Sequence, residues 1–441
     1  MKKLALMAAV MACSVFPVLA ETPAKPYLDI REIHTPKGLT VWYVRDETVP
    51  VVTLKFSAKG GTQFDAAHKE GTAELLSTLF DEGAGSRDAE EFQDALENHA
   101  IRIGFSATRD AFYGNLKTTI GHQDMAVELF DDALNRPHFN QDAIARMKEG
   151  LKSNLRFQLM DPNSIASRKL FETLYGDQPY ARPVEGTIES LSAITRQDLL
   201  AEKAALFCRN NLKIAMVGSL TEHQVARMAD RFFGSWRACE KPLSVKMQEP
   251  SLDGKMHSVA WQGAQSVLIL AQQGLSRQDN DWWAARILDF ALGAGQFSSR
   301  LMEEVRVKRG LTYGVSSSLM PLDYSPLWVV QAGVDPSKTD EAVSVIRKTW
   351  RDVAENGLAD DEIQKAKDYL IGSLPLALTS TDAMANIVLQ LQEDDLPMNT
   401  LDTRKAEISA VTADDIKRVA QRYLTPDKLT IIMVGPTKKK D

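Results

Sequence analysis

The sequence predicts an α+β protein with two homologous, duplicated domains, each a mainly antiparallel sheet packed with helices. Three observations support this fold class. The chain has 441 residues, which is too long for one compact core at roughly 150 residues per domain. Its composition, 44% hydrophobic and 25% charged, is that of a globular protein. A helix-and-strand pattern near the end of the first half also recurs, without gaps, near the end of the second half.

The N-terminus has the pattern of a secretory signal peptide. Lys2 and Lys3 precede an apolar run that ends at the small residue Ala20. This run is too short for a stable membrane span, so we predict a cleaved signal over residues 1–20, a periplasmic location and no membrane-spanning segment. One alternative remains open, in which Cys13 is the lipid-modified cysteine of a lipoprotein signal.

The charge of the mature chain argues against nucleic-acid binding. Removing two signal-peptide lysines changes the net charge from −7 to −9, and a net negative charge opposes nonspecific binding to the phosphate backbone. Two cysteines remain, Cys208 and Cys239. In an oxidising compartment they form either a disulfide or two buried thiols, and the sequence leaves both alternatives open.

The first half contains four segments with distinct periodicity. Two apolar strands are predicted in residues 39–61, and "EGTAELLSTLFDEG", residues 70–83, predicts the opening turns of a helix. Residues 136–159 predict a long amphipathic helix with an acidic start. The segment "TRQDLLAEKAALFCRNNLKIAMVG", residues 195–218, predicts a capped helix and then a short apolar strand that ends in glycine.

The second half repeats this order. Residues 256–275 predict two strands, and residues 292–318 predict a small-residue turn, a helix and a strand. Residues 356–378 predict another acidic helix start that leads into an amphipathic helix. The segment "TADDIKRVAQRYLTPDKLTIIMVG", residues 412–435, aligns on the end of the first half with a constant offset of 217 residues. The two halves are therefore predicted to be duplicated domains.

Periodicity lapses between the halves, where proline and glycine accumulate. We therefore predict an N-terminal domain over residues 21–238, a linker over residues 239–256 and a C-terminal domain over residues 257–441. A single continuous mixed domain is the alternative.

The predicted helix in residues 70–83 has the spacing of an active-site helix without its chemistry. Glu74, Ser77 and Thr78 are spaced i, i+3, i+4 and project from one side. That spacing is where a helix would hold two metal ligands and a general base. Here it holds one carboxylate and two neutral hydroxyls. An ordinary core helix is the alternative interpretation.

The segment "LGAGQFSSRLMEEVRVKRGLTYGVSSS", residues 292–318, resembles the C-terminal half-domain signature of the insulinase/pitrilysin metallopeptidases, in their processing-peptidase-like branch. Arg306 and Tyr313 match the arginine and tyrosine that this family uses across the cleft from its metal. The segment "GDQPYARPVEGT", residues 176–187, and the paired "MVG" strands are further matches. The resemblance implies that Arg306 and Tyr313 are catalytic residues that act together with a zinc site.

Catalytic members of that family carry an inverted zinc motif, His-x-x-Glu-His, at the positions of residues 74–78. Glu74, Ser77 and Thr78 replace all of its functional residues. The family's third ligand, a glutamate, aligns near Ser153 or Asn154, and neither is a carboxylate.

A hydrolytic zinc site needs about three N, S or carboxylate ligands and a base. The resemblance and this chemistry together predict no metal cofactor in this chain. Another metal group, formed by His68, Glu70 and Glu74, is an alternative with weak support from spacing.

The family's active site has two half-sites, the zinc motif and the Arg–Tyr pair. This chain lacks the first and has the second, which predicts a non-catalytic subunit of a heterodimeric periplasmic zinc metalloendopeptidase. A zinc-bearing relative would be its partner, and extended peptides would be its substrate. The main alternative is an inactive peptide-binding or scaffold protein of the same fold. A peptidase that uses unrecognised ligands is a third interpretation.

Overall fold

The computed structural model describes residues 26–240 and 246–436. The predicted signal peptide and Cys13 lie outside the described residues. Within these two ranges, no helix is both long and apolar enough to cross a membrane.

The first half forms a six-stranded sheet with the order β1-β2-β6-β3-β5-β4. Its strands are β1 (Ile30–His34), β2 (Thr40–Arg45), β3 (Val51–Lys59), β4 (Arg102–Ala107), β5 (Ala111–Thr119) and β6 (Leu212–Gly218). All neighbouring strands are antiparallel except β2 and β6, which run parallel. The predicted strand pair in residues 39–61 corresponds to β2 and β3.

Eight α-helices accompany this sheet in the described part of the first half. They are α1 (Thr72–Ser77), α2 (Ala89–Asn98), α3 (Gln123–Asn135), α4 (Gln141–Gln158), α5 (Pro162–Tyr175), α6 (Ile188–Ala193), α7 (Arg196–Leu206) and α8 (Glu222–Phe233). The cap predicted at the start of α7 is present, since the Thr195 hydroxyl accepts a hydrogen bond from the backbone N–H of Asp198.

The second half forms a five-stranded sheet with the order β7-β11-β8-β10-β9. Its strands are β7 (Met256–Ala260), β8 (Ser266–Gln273), β9 (Thr312–Met320), β10 (Leu327–Val334) and β11 (Thr430–Gly435). The α-helices are α9 (Trp282–Asp289), α10 (Thr339–Asn356), α11 (Asp360–Gly372), α12 (Thr381–Glu393), α13 (Thr400–Ala410) and α14 (Ala413–Tyr423). Two further segments, Phe290–Ala294 and Met302–Val307, are π-helical turns.

The two sheets have one topology. Strands β2, β6, β3, β5 and β4 of the first sheet correspond in order to β7, β11, β8, β10 and β9 of the second. The single parallel pair, β2 with β6, recurs as β7 with β11. The predicted α+β class and the predicted duplication of the two halves are confirmed.

Each sheet is covered on one face by helices of its own half. In the first half these helices include α1, α3 and α8, which share one apolar core with the sheet. In the second half α9, α10 and α14 form the corresponding core. Burial of these apolar stripes against a sheet is the main source of stability in such layered folds.

The other face of each sheet is covered by a helix from the opposite half. Helix α5, in the first half of the chain, packs on β8 and β11 of the second sheet. Helix α12, in the second half, packs on β3 and β6 of the first sheet. The two halves therefore exchange one helix each, which the sequence did not indicate.

Cys208 and Cys239 form a disulfide, with their Cα atoms 5.3 Å apart. It joins the end of α7 to the segment after α8. Of the two alternatives that the sequence left open, the structure has the disulfide. The predicted domain limits at residues 238 and 257 stay a prediction.

Candidate functional site

Helix α1 is shorter than the sequence predicts. The backbone N–H groups of Thr78 and Leu79 donate to carbonyls three residues back, Leu75 and Leu76, at 3.2 Å each. These contacts tighten the chain into 3₁₀-type turns, so the regular helix ends at Ser77. The apolar side is placed as predicted, with four fully buried side chains, Leu75, Leu76, Leu79 and Phe80.

The two hydroxyls at the degenerate motif positions are already engaged with the backbone. The Ser77 hydroxyl donates to the Glu74 carbonyl at 2.7 Å, and the Thr78 hydroxyl donates to the Leu75 carbonyl at 2.8 Å. Such bonds to the preceding turn satisfy a Ser or Thr side chain inside a helix. Neutral hydroxyls in this state are poor zinc ligands, because zinc sites in proteins use thiolate, imidazole and carboxylate donors.

Glu74 is the one carboxylate of this helix side, and it is half-buried. Burial raises its pKa above the usual range, and the nearby charge of Glu185 raises it further. Glu185 lies in the segment that follows the 3₁₀ turn Pro179–Ala181. The degenerate helix and this segment therefore lie side by side.

The remaining positions considered for a metal do not complete a site. Ser153 and Asn154 are exposed on α4, and Glu149 one turn earlier pairs with Lys152 at 2.9 Å. The alternative group of His68, Glu70 and Glu74 is wrong. Across residues 26–240 and 246–436, no three His, Cys, Asp or Glu side chains are placed to hold a metal ion. The residues of this helix and its surroundings thus do not fit zinc.

Arg306 and Tyr313 are brought together by the fold. Both line a cavity of about 450 Å³, which we call the Arg–Tyr cavity. Both also line an adjoining cavity of about 580 Å³ that extends to Asp335 and Lys338. The two side chains thus stand between two adjoining open spaces on one side of the second sheet.

A β-bulge sets the position of Tyr313. In the β9–β10 pair Gly314 lies opposite Gly333, but Thr312 lies opposite Val334, so Tyr313 has no partner residue. An extra residue of this kind bends the strand and redirects its side chain. The Tyr313 side chain is 82% exposed, and among the described residues its hydroxyl has no hydrogen-bond partner.

Arg306 lies on the second π-helical turn. The turn is marked by the hydrogen bond from the Lys308 N–H to the Glu303 carbonyl, five residues back, at 2.9 Å. Lys308 and Arg309 both pair with Glu304 at 2.6 Å. Arg306 has no such ion pair among the described residues, and its guanidinium stacks over the Phe297 ring at 5.0 Å. Its donors therefore remain available to a ligand.

The exchanged helix α5 forms the opposite wall of the Arg–Tyr cavity through Asn163 and Ser167. Ser167 also lines a smaller cavity of about 160 Å³, which Arg109, Arg168 and Glu185 enclose. We call this the arginine cavity. The Arg–Tyr cavity and the arginine cavity therefore share one lining residue, Ser167, and the second of them includes Glu185, which interacts with Glu74 of α1.

The sequence did not single out Asn163, Ser167, Arg109 or Phe297. The signals near them were the matching segment over residues 176–187, whose Glu185 lines the arginine cavity, and the segment 292–318, which contains Phe297. The spacing of apolar residues in α5 does not show on which sheet the helix packs. The cavity wall that α5 forms was therefore not predicted from the sequence.

Two carboxyl groups lie near the start of α1, Asp65, which is buried, and Glu202 on α7, which is half-buried. The Asp65 carboxylate accepts hydrogen bonds from the N–H groups of Gly71, Thr72 and Ala73 at 2.6–3.1 Å. Burial and the charge of Glu202 nevertheless raise the pKa of Asp65 to about 8. Burial also raises the pKa of Glu202 to about 7.

We expect Glu202→Gln to stabilise the protein at pH 8 and to have little effect at pH 4.5. The unfolded glutamate has a pKa of about 4.3, so the native state binds more protons between pH 4.5 and 7. The free energy of unfolding therefore falls as the pH rises through this range and stays low above it. At pH 8 the gain should be on the order of 1 to 3 kcal/mol. Urea titrations at both pH values measure it.

The matched control is Glu355→Gln, on an exposed glutamate of α10, which should change stability by less than about 0.5 kcal/mol at either pH. An effect of Glu202→Gln that is equal at pH 4.5 and pH 8 would contradict this interpretation.

Two family descriptions match the chain. Residues 40–188 match the insulinase domain of peptidase family M16, and residues 193–370 match a domain described as "Peptidase M16 inactive domain". Together they cover nearly all of residues 40–370.

Full-length relatives have low but extensive similarity. An uncharacterized zinc protease of Streptomyces coelicolor is 26% identical, over 93% of this chain and 90% of its own length. A Helicobacter pylori protein named non-peptidase homolog YmxG is 25% identical, over 93% of this chain and 94% of its own length.

Solved structures agree with the fold. The crystal structure of a peptidase M16 inactive domain from Pseudomonas fluorescens has a TM-score of 0.84 and 26% identity, and covers 94% of this chain and 99% of its own. A structure described as a protease from Helicobacter pylori has a TM-score of 0.83 at 20% identity, with 93% and 100% coverage. The second of these bears on the fold alone.

Proposed function

This chain belongs to the insulinase family, peptidase family M16, and from that membership we propose that it is the non-catalytic subunit of a heterodimeric zinc metalloendopeptidase. Its partner is a zinc-bearing relative of the same fold. The two subunits together enclose a cleft in which extended peptides are cleaved.

The observation that carries this proposal is the contrast between the two half-sites. Arg306 and Tyr313 project unpaired into open space, and a β-bulge directs Tyr313 there. Ser77 and Thr78, in contrast, are bonded to their own backbone. The two donors that line one cavity are therefore available to a ligand, whereas the hydroxyls of the degenerate motif are not.

The retained side chains suit one task in peptide hydrolysis. Attack on a peptide carbonyl builds negative charge on its oxygen, and fixed N–H and O–H donors stabilise that charge. The Tyr313 phenol and the Arg306 guanidinium both donate. The partner's zinc would supply the activated water, and this chain would supply the donors and one wall of the cleft.

The second sheet offers a way to hold the substrate. Strand β9 lies at the edge of the described sheet and begins at the residues that line the Arg–Tyr cavity. An extended peptide can pair with the free backbone groups of such an edge, independently of its sequence. This arrangement would place the peptide backbone next to Tyr313.

The proposed location is the periplasm. The N-terminal signal pattern supports it, and the Cys208–Cys239 disulfide gives independent support because such bonds persist in oxidising compartments. An inactive peptide-binding or scaffold protein remains the second candidate function. The matches to an inactive domain and to a non-peptidase homolog favour that candidate as much as the first.

A mixing experiment tests the proposal. The mature chain and an exported zinc-motif relative from the same genome are purified separately, and hydrolysis of a fluorogenic peptide is measured for each alone, for the mixture and for the mixture with a chelator. We expect turnover in the mixture only, its loss on chelation, and a 1:1 complex at about 10 µM by size analysis. A relative that is fully active alone, or one that does not associate, would favour the scaffold function.

A further inference from the structure

The walls of the arginine cavity carry two positively charged side chains and one negatively charged side chain. It lies between the end of α4, the start of α5 and the segment around Glu185, and it holds about 160 Å³. Its walls carry two guanidinium groups, Arg109 and Arg168, and one carboxylate, Glu185. It shares Ser167 with the Arg–Tyr cavity.

Arg109 is held in place but only partly bonded. Its guanidinium lies over the Phe171 ring at 3.6 Å, and its Nε donates to the Tyr180 carbonyl at 3.2 Å. Among the described residues, its two terminal nitrogens donate to no other group. Two fixed, unused donors on a planar cation match the two oxygens of a carboxylate.

Arg168 also uses only part of its hydrogen-bonding capacity. One terminal nitrogen donates to the Gly186 carbonyl at 2.9 Å. Glu185 forms a long ion pair with it at 3.9 Å, which is too far for a hydrogen bond.

Burial lowers the pKa of both arginines, and the negative charge of Glu185 acts in the opposite direction by raising the pKa of each. A partly desolvated guanidinium attracts an anion more strongly than a solvated one does, and the attraction outweighs the desolvation of the anion when hydrogen bonds accompany it.

The other nearby carboxylates are engaged elsewhere. Asp110 accepts hydrogen bonds from the Tyr180 hydroxyl and from the Gln63 side chain. Glu172 pairs with Lys169 at 3.2 Å. Glu74 does not line the cavity and interacts unfavourably with Glu185.

We propose that the arginine cavity binds a carboxylate carried by the peptide in the cleft, either an acidic side chain or the chain-terminal carboxylate. The proposal rests on the proposed function for the peptide, and it assigns Arg109 and Arg168 as specificity-determining residues. The volume accommodates a carboxylate with a short stem, and the shared Ser167 places it next to the peptide segment at Tyr313.

The test uses the isolated mature chain and measures binding, not turnover. The probes are neutral, amide-capped decapeptides with an uncharged fluorophore, in which one glutamate occupies each position in turn. A glutamine set and a free-acid version of the parent accompany them. We expect at least one carboxylate peptide to bind about 10-fold or more tightly than its neutral counterpart. Preference for the glutamate set identifies a side chain, and preference for the free acid identifies the terminus.

Arg168→Met should reduce this preference to less than about twofold, because it keeps the apolar stem and removes the charge. The control is Lys169→Met, which removes a cation of α5 outside the cavity and should retain the preference. Circular dichroism and thermal melting establish that both variants are folded.

Equal affinity of wild-type chain for carboxylate and neutral peptides overturns the proposal without any variant, as does the absence of binding at 100 µM peptide. Retention of the preference in folded Arg168→Met overturns it too. A chain that discriminates between the peptides but adds nothing to turnover supports the carboxylate site and contradicts only the catalytic role.

Discussion

Tyr313→Phe in this chain is expected to lower kcat of the mixed complex by about 100- to 1,000-fold, even though the metal belongs to the partner. A donor aimed at the developing oxyanion contributes more in the transition state than in the bound substrate. Loss of one such donor typically costs about 2.7 to 4 kcal/mol of activation free energy. The substitution removes only the hydroxyl and keeps the ring, so KM should change little.

The measurement is steady-state hydrolysis of one fluorogenic peptide by complexes of equal composition. Tyr369→Phe is the matched control, because Tyr369 is also an exposed tyrosine, at 58%, but stacks on Phe290 away from the Arg–Tyr cavity. It should retain kcat within about twofold. If the Tyr313→Phe complex assembles normally and keeps full kcat, the chain serves only as a structural wall.

Leu174→Ala is expected to lower the free energy of unfolding by about 2 to 5 kcal/mol. Leu174 is in the first half of the chain and is 1% exposed. Its core, however, is the outer face of the second sheet, with Ile269, Val329 and Ile432. Truncation leaves a cavity that close-packed neighbours fill only in part. Because the exchanged helices join the halves, we also expect a single unfolding transition.

Leu200→Ala is the control for this experiment. Leu200 is on α7 and is 41% exposed, so its truncation should cost less than about 1 kcal/mol. Urea denaturation followed by circular dichroism gives both values. Equal effects of the two substitutions, or two separate transitions in the wild-type chain, would contradict the view that the exchanged helix is part of the common core.

Local elements were predictable where periodicity and capping agreed. The helix-and-strand unit after Thr195 and its copy after Thr412 both form as predicted, and the same type of cap starts each helix. Helix α1 was predicted too long. Its hydroxyl-bearing end forms tight turns, which the spacing of apolar residues does not reveal.

The candidate site was likewise predictable only in part from the sequence. Residue identity at positions 74, 77 and 78 was enough to predict that zinc lacks its ligands there, since no fold converts a neutral hydroxyl into an imidazole. The resemblance picked out Arg306 and Tyr313, whose catalytic role stays a prediction. It did not indicate the bulge that directs Tyr313 or the α5 wall opposite it.

The sequence by itself determined the class of fold, the duplication and the missing ligands, because these depend on residue type and on spacing along one segment. Only the tertiary structure decided which helix covers which sheet, and therefore which side chains face Arg306 and Tyr313. The physical reason is that the apolar stripe of a helix does not specify which surface will cover it. The stripes of α5 and α12 could be buried against either sheet. Through this exchange α5 forms the cavity wall opposite Arg306 and Tyr313 and brings Arg168 to the arginine cavity.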